Sequence, residues 1–260
     1  MQARLPTLFV SHGAPTMALA EDETTRFLQD LGEQIPQPEA VICMSAHWAT
    51  GTTSVSSGGQ PATMHDFSGF GARLNACEYP SPGDPALAAR VCDALQGAGI
   101  DAGRDSRRGL DHGVWVPLKW MYPQANVPVV CVSVVPSGGP AHQYAVGAAL
   151  REFAARGCLL LGSGGTTHNL AAVNFQQPDA PAHTLAADFE GWLTEQVTRG
   201  ATQELLAYRA RAPGAVWNHP SDEHLLPLFF ALGAARDPAG ECVHRRITFE
   251  VLSLSAFRWQ

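Results

Sequence analysis

The stretch Leu8-Phe9-Val10-Ser11-His12-Gly13-Ala14-Pro15 is an apolar run that stops abruptly at a histidine. The residues before His12 predict a buried strand, and Gly13 and Pro15 break the extended pattern directly after it. The imidazole is therefore expected on a loop at the carboxyl edge of the strand, where open α/β sheets bind their ligands. A lone histidine of this kind more often hydrogen-bonds its turn, so a functional interpretation requires that the construction recur.

It recurs twice. Residues 41–46 are a continuous apolar run that leads into His47, and residues 158–162 are another that leads through a glycine-rich loop to His168. Further strands are predicted at residues 127–135 and 247–255. Because helical patterns separate these strands, we predict an α/β fold, with one domain over residues 1–260 and a sheet covered by helices on both faces. The sequence does not fix the strand order.

Three further segments carry histidines. Residues 50–71 are rich in Gly, Ser, Thr and Pro around His65, and so long a connection predicts an active-site loop. His112 is flanked by glycines and is expected on a loop. His224 precedes a helix with an apolar face, and Pro227 predicts that this helix begins loosely or with a kink.

Composition excludes several classes of protein. The 260 residues are 45% hydrophobic and carry a formal net charge of -7, with dispersed basic residues, so a nucleic-acid partner is not expected. No apolar run approaches the roughly 18 residues of a membrane span, and the residues before the first strand are too few for a signal peptide. Six cysteines without a CxxC pair are expected to be reduced thiols. These features predict a cytoplasmic protein without a membrane partner, and nothing in them sets an oligomeric state.

The ten histidines point to a metal. Neutral imidazoles with nearby carboxylates suit zinc or iron(II), and catalytic sites of this kind use three protein ligands and leave positions open for water, substrate or dioxygen. No glycine-rich loop carries a Walker lysine or a complete dinucleotide fingerprint, and no G-x-S-x-G nucleophile elbow is present. Surface or supporting roles are expected for His142, His183 and His244.

Six motifs in order extend this pattern over residues 7 to about 255. They are Ser11-His12-Gly13-Ala14-Pro15, Ser45-Ala46-His47-Trp48, His65-Asp66-Phe67 with Gly69-Phe70, Asp111-His112-Gly113-Val114-Trp115, His168-Asn169-Leu170 and Glu223-His224-Leu225-Leu226-Pro227-Leu228. Together they resemble the class III extradiol ring-cleaving dioxygenases, in particular the single-chain branch related to the DOPA 4,5-dioxygenases. The resemblance implies the α/β fold of the catalytic subunit of protocatechuate 4,5-dioxygenases.

The resemblance also implies a reaction and a set of roles. The enzyme would use non-haem iron(II) and dioxygen to open a catechol ring, such as that of a DOPA-like substrate, beside its two hydroxyls, with no organic cofactor. By position, His12, His47 and His224 would be the metal ligands. His168 would be the acid/base residue, as suits a side chain whose unperturbed pKa is roughly 6.5, and its position beside the site leaves open a direct contact with the metal. His112 would contact substrate or oxygen.

One departure from the larger family leaves alternatives open. The usual carboxylate ligand is replaced by His224, directly preceded by Glu223, so Glu223 is the alternative ligand. Three neutral ligands would also suit zinc, which we expect in some purified samples. The alternative functions are a zinc-dependent hydrolase that uses the same histidines and a non-enzymatic metal-binding or redox-binding relative. His65 and His219 are expected either to support the ligands or contact the substrate, or only to stabilise their loops. Trp48, Phe67, Phe70 and Trp115 are expected either to form an aromatic wall of the site or to belong to the core.

Overall fold

In the computed structural model, which describes residues 4–260, four parallel strands form the middle of one sheet. The prediction about a signal peptide concerns the residues before the first strand, of which residues 1–3 lie outside the described range. The sheet has eight strands in the order β4-β3-β5-β2-β6-β1-β10-β7, and a separate hairpin pairs β8 with β9. The strands are β1 Thr7–Ser11, β2 Ala40–Ala49, β3 Thr53–Ser56, β4 Ala102–Asp105, β5 Val129–Val134, β6 Cys158–Gly164, β7 Glu241–His244, β8 Ile247–Thr248, β9 Leu252–Ser253 and β10 Ala256–Trp259.

Helices cover the sheet on both faces, as the alternating pattern predicted. They are α1 Glu23–Gln34, α2 Ala72–Asn75, α3 Pro85–Gly97, α4 His112–Met121, α5 Gly139–Leu150, α6 Thr184–Thr198, α7 Thr202–Leu206, α8 Tyr208–Arg211, α9 Ala215–Asn218 and α10 Leu226–Ala234. None of the described helices combines the length and apolar character needed to cross a membrane.

Alternation along the central strands builds two core layers. In β1, Phe9 packs into a layer with α3, α5, α6 and α10, whereas Leu8 and Val10 pack into the opposite layer with α1 and α4. Every residue of β1, β5 and β6 is buried, which explains why these strands read as continuous apolar runs. Because β1, β2, β5 and β6 run parallel, their carboxyl ends meet at one edge of the sheet.

Several local predictions were wrong. His112 is not on a loop but is the first residue of α4. The predicted loop 50–71 contains the short strand β3, and the predicted final strand 247–255 is the β8–β9 hairpin followed by β10. That hairpin turns at Phe249 and Glu250, which both have positive φ angles, so the chain reverses where we expected it to continue.

Pro227 does not loosen its helix. Because α10 begins at Leu226, Pro227 lies in the first turn, where a backbone N–H has no partner within the helix. His47 likewise lies within the last residues of β2 rather than after them. The regular pairing of β2 with β5 shifts register after Ser45, just before this histidine.

Candidate metal centre and active site

The parallel strands bring three predicted metal ligands together at their carboxyl edge. His12 follows β1, His47 lies near the end of β2, and His224 lies two residues before α10. One nitrogen from each ring can be chosen so that all three lie within 4.8 Å of one another. The Nε2 atoms of His12 and His47 are 3.0 Å apart. This edge therefore gathers three imidazole nitrogens in the space that a single ion would need.

The buried Nε2 atom of His224 supports the same interpretation. This atom has no hydrogen-bond partner among the described residues, although burial without a partner is costly for a polar group. The Nδ1 atom of the same ring lies 3.1 Å from Oε1 of Glu223. Glu223 thus contacts the side of the imidazole opposite to the orphaned nitrogen. These three imidazoles therefore suit a divalent ion that binds the Nε2 atom of His224.

Supporting side chains contact the Nδ1 atoms of the other two rings. The Ser163 hydroxyl donates to the carbonyl of Gly113, so its oxygen is free to accept from His12 Nδ1 at 3.1 Å. His47 Nδ1 lies 3.5 Å from Oδ2 of Asp66. With Nδ1 engaged in this way, each ring keeps Nε2 for the shared space, as in known metal sites where an outer partner orients a histidine ligand.

Burial keeps the three imidazoles neutral. Desolvation, followed by the neighbouring histidines, lowers the pKa of His12 well below its ordinary value. Desolvation is also the main reason why the pKa falls to about 4 for His47 and to about 3 for His224. At neutral pH all three rings can therefore donate a lone pair to a metal without first losing a proton.

His168 lies directly against this cluster. Its ring stacks on His224 with centroids 3.3 Å apart and an interplanar angle of 8°. The loop after β6 carries it, and its backbone N–H donates to the carbonyl of Asn218 at 2.9 Å. Burial lowers the pKa of His168 as well. One nitrogen of His168 also lies within 4.8 Å of ligand atoms of Glu223 and His224, so the structure places it beside the predicted ligands.

His112 also borders the cluster. Its ring centroid is 3.9 Å from that of His47 and 5.3 Å from that of His12. Its Nδ1 atom and its backbone N–H both contact Oδ1 of Asp66, at 2.9 and 3.0 Å. Burial acts to raise the pKa of Asp66, but the hydrogen bonds from the ring and the backbone N–H of His112 outweigh it and lower that pKa to about 2. Asp66 is therefore an ionised carboxylate beside two imidazoles.

The four aromatic residues of the predicted wall separate into two groups. Phe67 lies edge-on to His112 at 5.7 Å, and Phe70 lies 5.6 Å from Phe67 and is 42% exposed. Trp115 is completely buried, and Trp48 is buried with the Arg108 guanidinium over its ring. The first pair lies where an aromatic substrate could approach His112, whereas both tryptophans belong to the core.

The remaining histidines lie outside the cluster of predicted ligands. His219 is fully buried and its Nε2 contacts the carbonyl of Thr166, two residues before His168, whereas His65 Nε2 contacts the carbonyl of Cys77. Both therefore support loops that carry site residues. The last three histidines make contacts elsewhere: His142 with Thr53, His183 with Trp217 and His244 with Thr24.

Two site residues received no role in the sequence interpretation. Asp66 occurred within a motif but looked like part of a loop, and Ser163 looked like one more small residue in a glycine-rich turn. A carboxylate directly after a histidine in an unusually long loop was the available signal for Asp66. Ser163 gave none, because its contact with His12 depends on the pairing of β1 with β6.

Comparisons with known proteins agree with this geometry. Residues 6–257 match the family described as the catalytic LigB subunit of aromatic ring-opening dioxygenase. The 4,5-DOPA dioxygenase extradiol of Beta vulgaris is 38% identical over 97% of this chain and 96% of its own length. That of Escherichia coli K12 is 36% identical over 89% of this chain and 85% of its own length.

A solved structure extends the similarity to the fold. The crystal structure of an uncharacterized protein from Escherichia coli K12 aligns with a TM-score of 0.84 and 31% identity, covering 99% of this chain and 100% of that one. The alignment therefore includes every strand that contributes a histidine to the cluster.

Proposed function

The chain belongs to the LigB family of aromatic ring-opening dioxygenases and is an extradiol ring-cleaving enzyme, and we propose that its substrate is a catechol with a DOPA-like side chain. We propose iron(II) as its metal and His12, His47 and His224 as the ligands. The observation that carries the ligand assignment is the buried, unpartnered Nε2 of His224 beside the Nε2 atoms of the other two rings. The relatives named as DOPA dioxygenases support the substrate class.

The donor set fits a divalent metal that keeps open positions. Three neutral imidazoles leave such an ion with its full double charge, which favours an anionic catecholate. When bound, iron(II) would supply a Lewis acid and the redox chemistry that couples a catechol to dioxygen. The carboxylates of Asp66 and Glu223 contact Nδ1 atoms on the far side of ligand rings, so they orient the ligands rather than replace them.

The protein side chains supply orientation and proton transfer. We assign to His168 the removal of the second catechol proton and its later return. Its half-buried imidazole stacks on His224, and burial lowers the pKa of this imidazole below the ordinary value. We assign to His112, which borders His47 and His12, a contact with the substrate or dioxygen. Phe67 flanks the aromatic ring, and the neighbouring Phe70 extends this apolar side toward solvent.

Zinc is the metal that we expect to compete for the same nitrogens, because it also prefers imidazole ligands. Protein purified without added iron should therefore contain zinc and have little activity. Six free cysteines without a disulfide are typical of a reducing compartment, which supports the cytoplasm as the place of action.

Reconstitution tests the function. The metal-free protein is loaded with iron(II) under anaerobic conditions, mixed with DOPA, other catechols or a monophenol, and then exposed to air. The proposal predicts a yellow ring-opened semialdehyde from DOPA with the iron form and none with the zinc form or the monophenol. Absence of this chromophore with every catechol, together with ester or amide hydrolysis by the zinc form, would establish the hydrolase instead.

Metal retention tests the residue assignment. Replacing His12, His47 or His224 by Ala should abolish iron retention, measured by elemental analysis after gel filtration. His168→Ala should retain iron and lose turnover, and His142→Ala, which removes an imidazole bound to Thr53 outside the cluster, should change neither. Equal metal loss from His168→Ala would place His168 among the ligands.

A further inference from the structure

Asp66 extends from the loop that follows β3 and contacts two imidazoles of the site. Its Oδ1 atom accepts hydrogen bonds from Nδ1 of His112 at 2.9 Å and from the backbone N–H of the same residue at 3.0 Å. Its Oδ2 atom lies 3.5 Å from Nδ1 of His47. The two oxygens of one carboxylate thus connect the first turn of α4 to the end of β2.

These contacts determine which nitrogen of His112 carries the proton. An ionised carboxylate can only accept, so the short contact to Oδ1 requires the hydrogen on Nδ1. In the uncharged tautomer with that hydrogen, the lone pair is on Nε2. Nε2 forms no hydrogen bond with any described residue, and the His112 side chain is 7% exposed.

We propose that Asp66 is a positioning residue that holds His112 with Nδ1 protonated and Nε2 presented to the substrate as a hydrogen-bond acceptor. The inference rests on the proposed role of His112 beside the metal. The next residue, Phe67, lies edge-on to the His112 ring at 5.7 Å, so one short segment fixes the imidazole and flanks the substrate. Loss of the carboxylate would free the ring to rotate or to change tautomer.

A purely structural role is the rival explanation, because Asp66 also satisfies the first backbone N–H of α4. Its matched control is Asp84, whose carboxylate accepts from the backbone N–H of Leu87 at the start of α3, with no imidazole as partner. Both side chains support a helix N-terminus. Only Asp66 can change the state of a histidine in the site.

Nuclear magnetic resonance of the imidazoles tests the proposal directly. The protein is labelled with ¹⁵N-histidine and loaded with zinc, which is diamagnetic, and His112→Gln assigns the His112 signals. We expect a protonated Nδ1 and an unprotonated Nε2 in the wild type and in Asp84→Ala. Asp66→Ala should lose this pattern, whereas Asp66→Asn should retain much of it because the amide oxygen still accepts from Nδ1.

Activity of the iron-loaded variants gives the second measurement. Asp66→Ala should lower kcat about 10- to 100-fold, as is typical when an outer partner of a site histidine is removed, with Asp66→Asn between it and the wild type. Asp84→Ala should keep the wild-type kcat despite a lower Tm.

An unchanged His112 tautomer in Asp66→Ala, or equal losses of kcat in Asp66→Ala and Asp84→Ala, would overturn the proposal. If no catechol is cleaved by the wild type, the proposed function fails, but the tautomer of His112 still decides whether Asp66 positions it.

Discussion

The contact of Ser163 with Nδ1 of His12 leaves Nε2 of that ring for the proposed metal. The serine hydroxyl donates to the Gly113 carbonyl and therefore accepts from His12 Nδ1. Removing this acceptor in Ser163→Ala should weaken metal binding about 10- to 100-fold while leaving all three proposed ligands in place. Competition with a chelator measures the affinity. Ser133→Ala, which removes another fully buried hydroxyl in β5, is the control and should bind metal like the wild type.

Glu223 offers a direct choice between a ligand and a supporting residue. Because its Oε1 atom lies 3.1 Å from Nδ1 of His224, Glu223→Gln should keep a hydrogen-bond acceptor and most of the metal. His224→Ala should lose the metal entirely. Dissociation constants for both variants check this order. A larger loss from Glu223→Gln would make the carboxylate the ligand and His224 its support.

Single residues differed in how far the sequence could predict them. His12 and His47 were identifiable because each ends an apolar run, and this signal lies within a few neighbouring residues. The contacts of Asp66 with His112 and of Ser163 with His12 join positions 46 and 151 residues apart. The first contact forms only when the loop after β3 packs against α4, and the second only when β1 pairs with β6, so no local pattern reports either one.

At the scale of elements, β6 and α10 approach each other unusually closely. A Cβ atom on Gly162 would lie 2.2 Å from the Pro227 carbonyl, and one on Gly164 would lie 2.0 Å from the carbonyl of His224. Real Cβ atoms do not approach backbone atoms this closely. Two glycines in β6 therefore let the segment that carries His224 reach the sheet edge.

Gly164→Ala should displace His224 from the other two proposed ligands. We expect a loss of about 1–3 kcal/mol in the free energy of unfolding, typical of overpacking, and a clear loss of metal affinity. Gly165→Ala is the matched control, because its Cβ would meet only the Thr167 carbonyl at 3.4 Å. Urea unfolding and metal titration measure the two effects. Equal behaviour of the two variants would contradict this role of Gly164.

Elements were predictable where burial alone defines them. The central strands β1, β2, β5 and β6 are buried almost throughout, so apolar runs identified them. The short strand β3 was missed because Ser and Thr make up three of its four residues and its place depends on pairing with β4 and β5. The β8–β9 hairpin was missed because Phe249 and Glu250 are not typical turn residues.

At the scale of the whole molecule, buried neutral histidines should make stability depend on pH. Burial lowers the pKa of His219 to about 4, whereas an unfolded histidine has a pKa near 6.5. The unfolded chain therefore binds more protons between these values, so stability is full above about pH 6.5 and falls as the pH drops toward 4.

This effect can be isolated in metal-free protein. Urea unfolding of the wild type should give a lower free energy of unfolding at pH 5 than at pH 7.5. In His219→Gln this difference should be smaller by roughly 2 kcal/mol, because glutamine can still donate to the Thr166 carbonyl but does not titrate. His183→Gln, which alters an exposed histidine, should leave the pH dependence unchanged. If the free energy of unfolding of His219→Gln falls between pH 7.5 and pH 5 as much as that of the wild type, His219 is not a source of the pH dependence.

The family match spans residues 6–257, so the function belongs to the whole fold rather than to one segment. The most direct test is a single turnover of the iron(II)-loaded protein with DOPA under ¹⁸O₂, followed by mass spectrometry of the product. We predict a ring opened beside the two hydroxyls, with one labelled oxygen in the new carboxylate and one in the new aldehyde, before the aldehyde exchanges with water. A product opened between the hydroxyls, or one without label from ¹⁸O₂, would contradict extradiol cleavage at the histidine site.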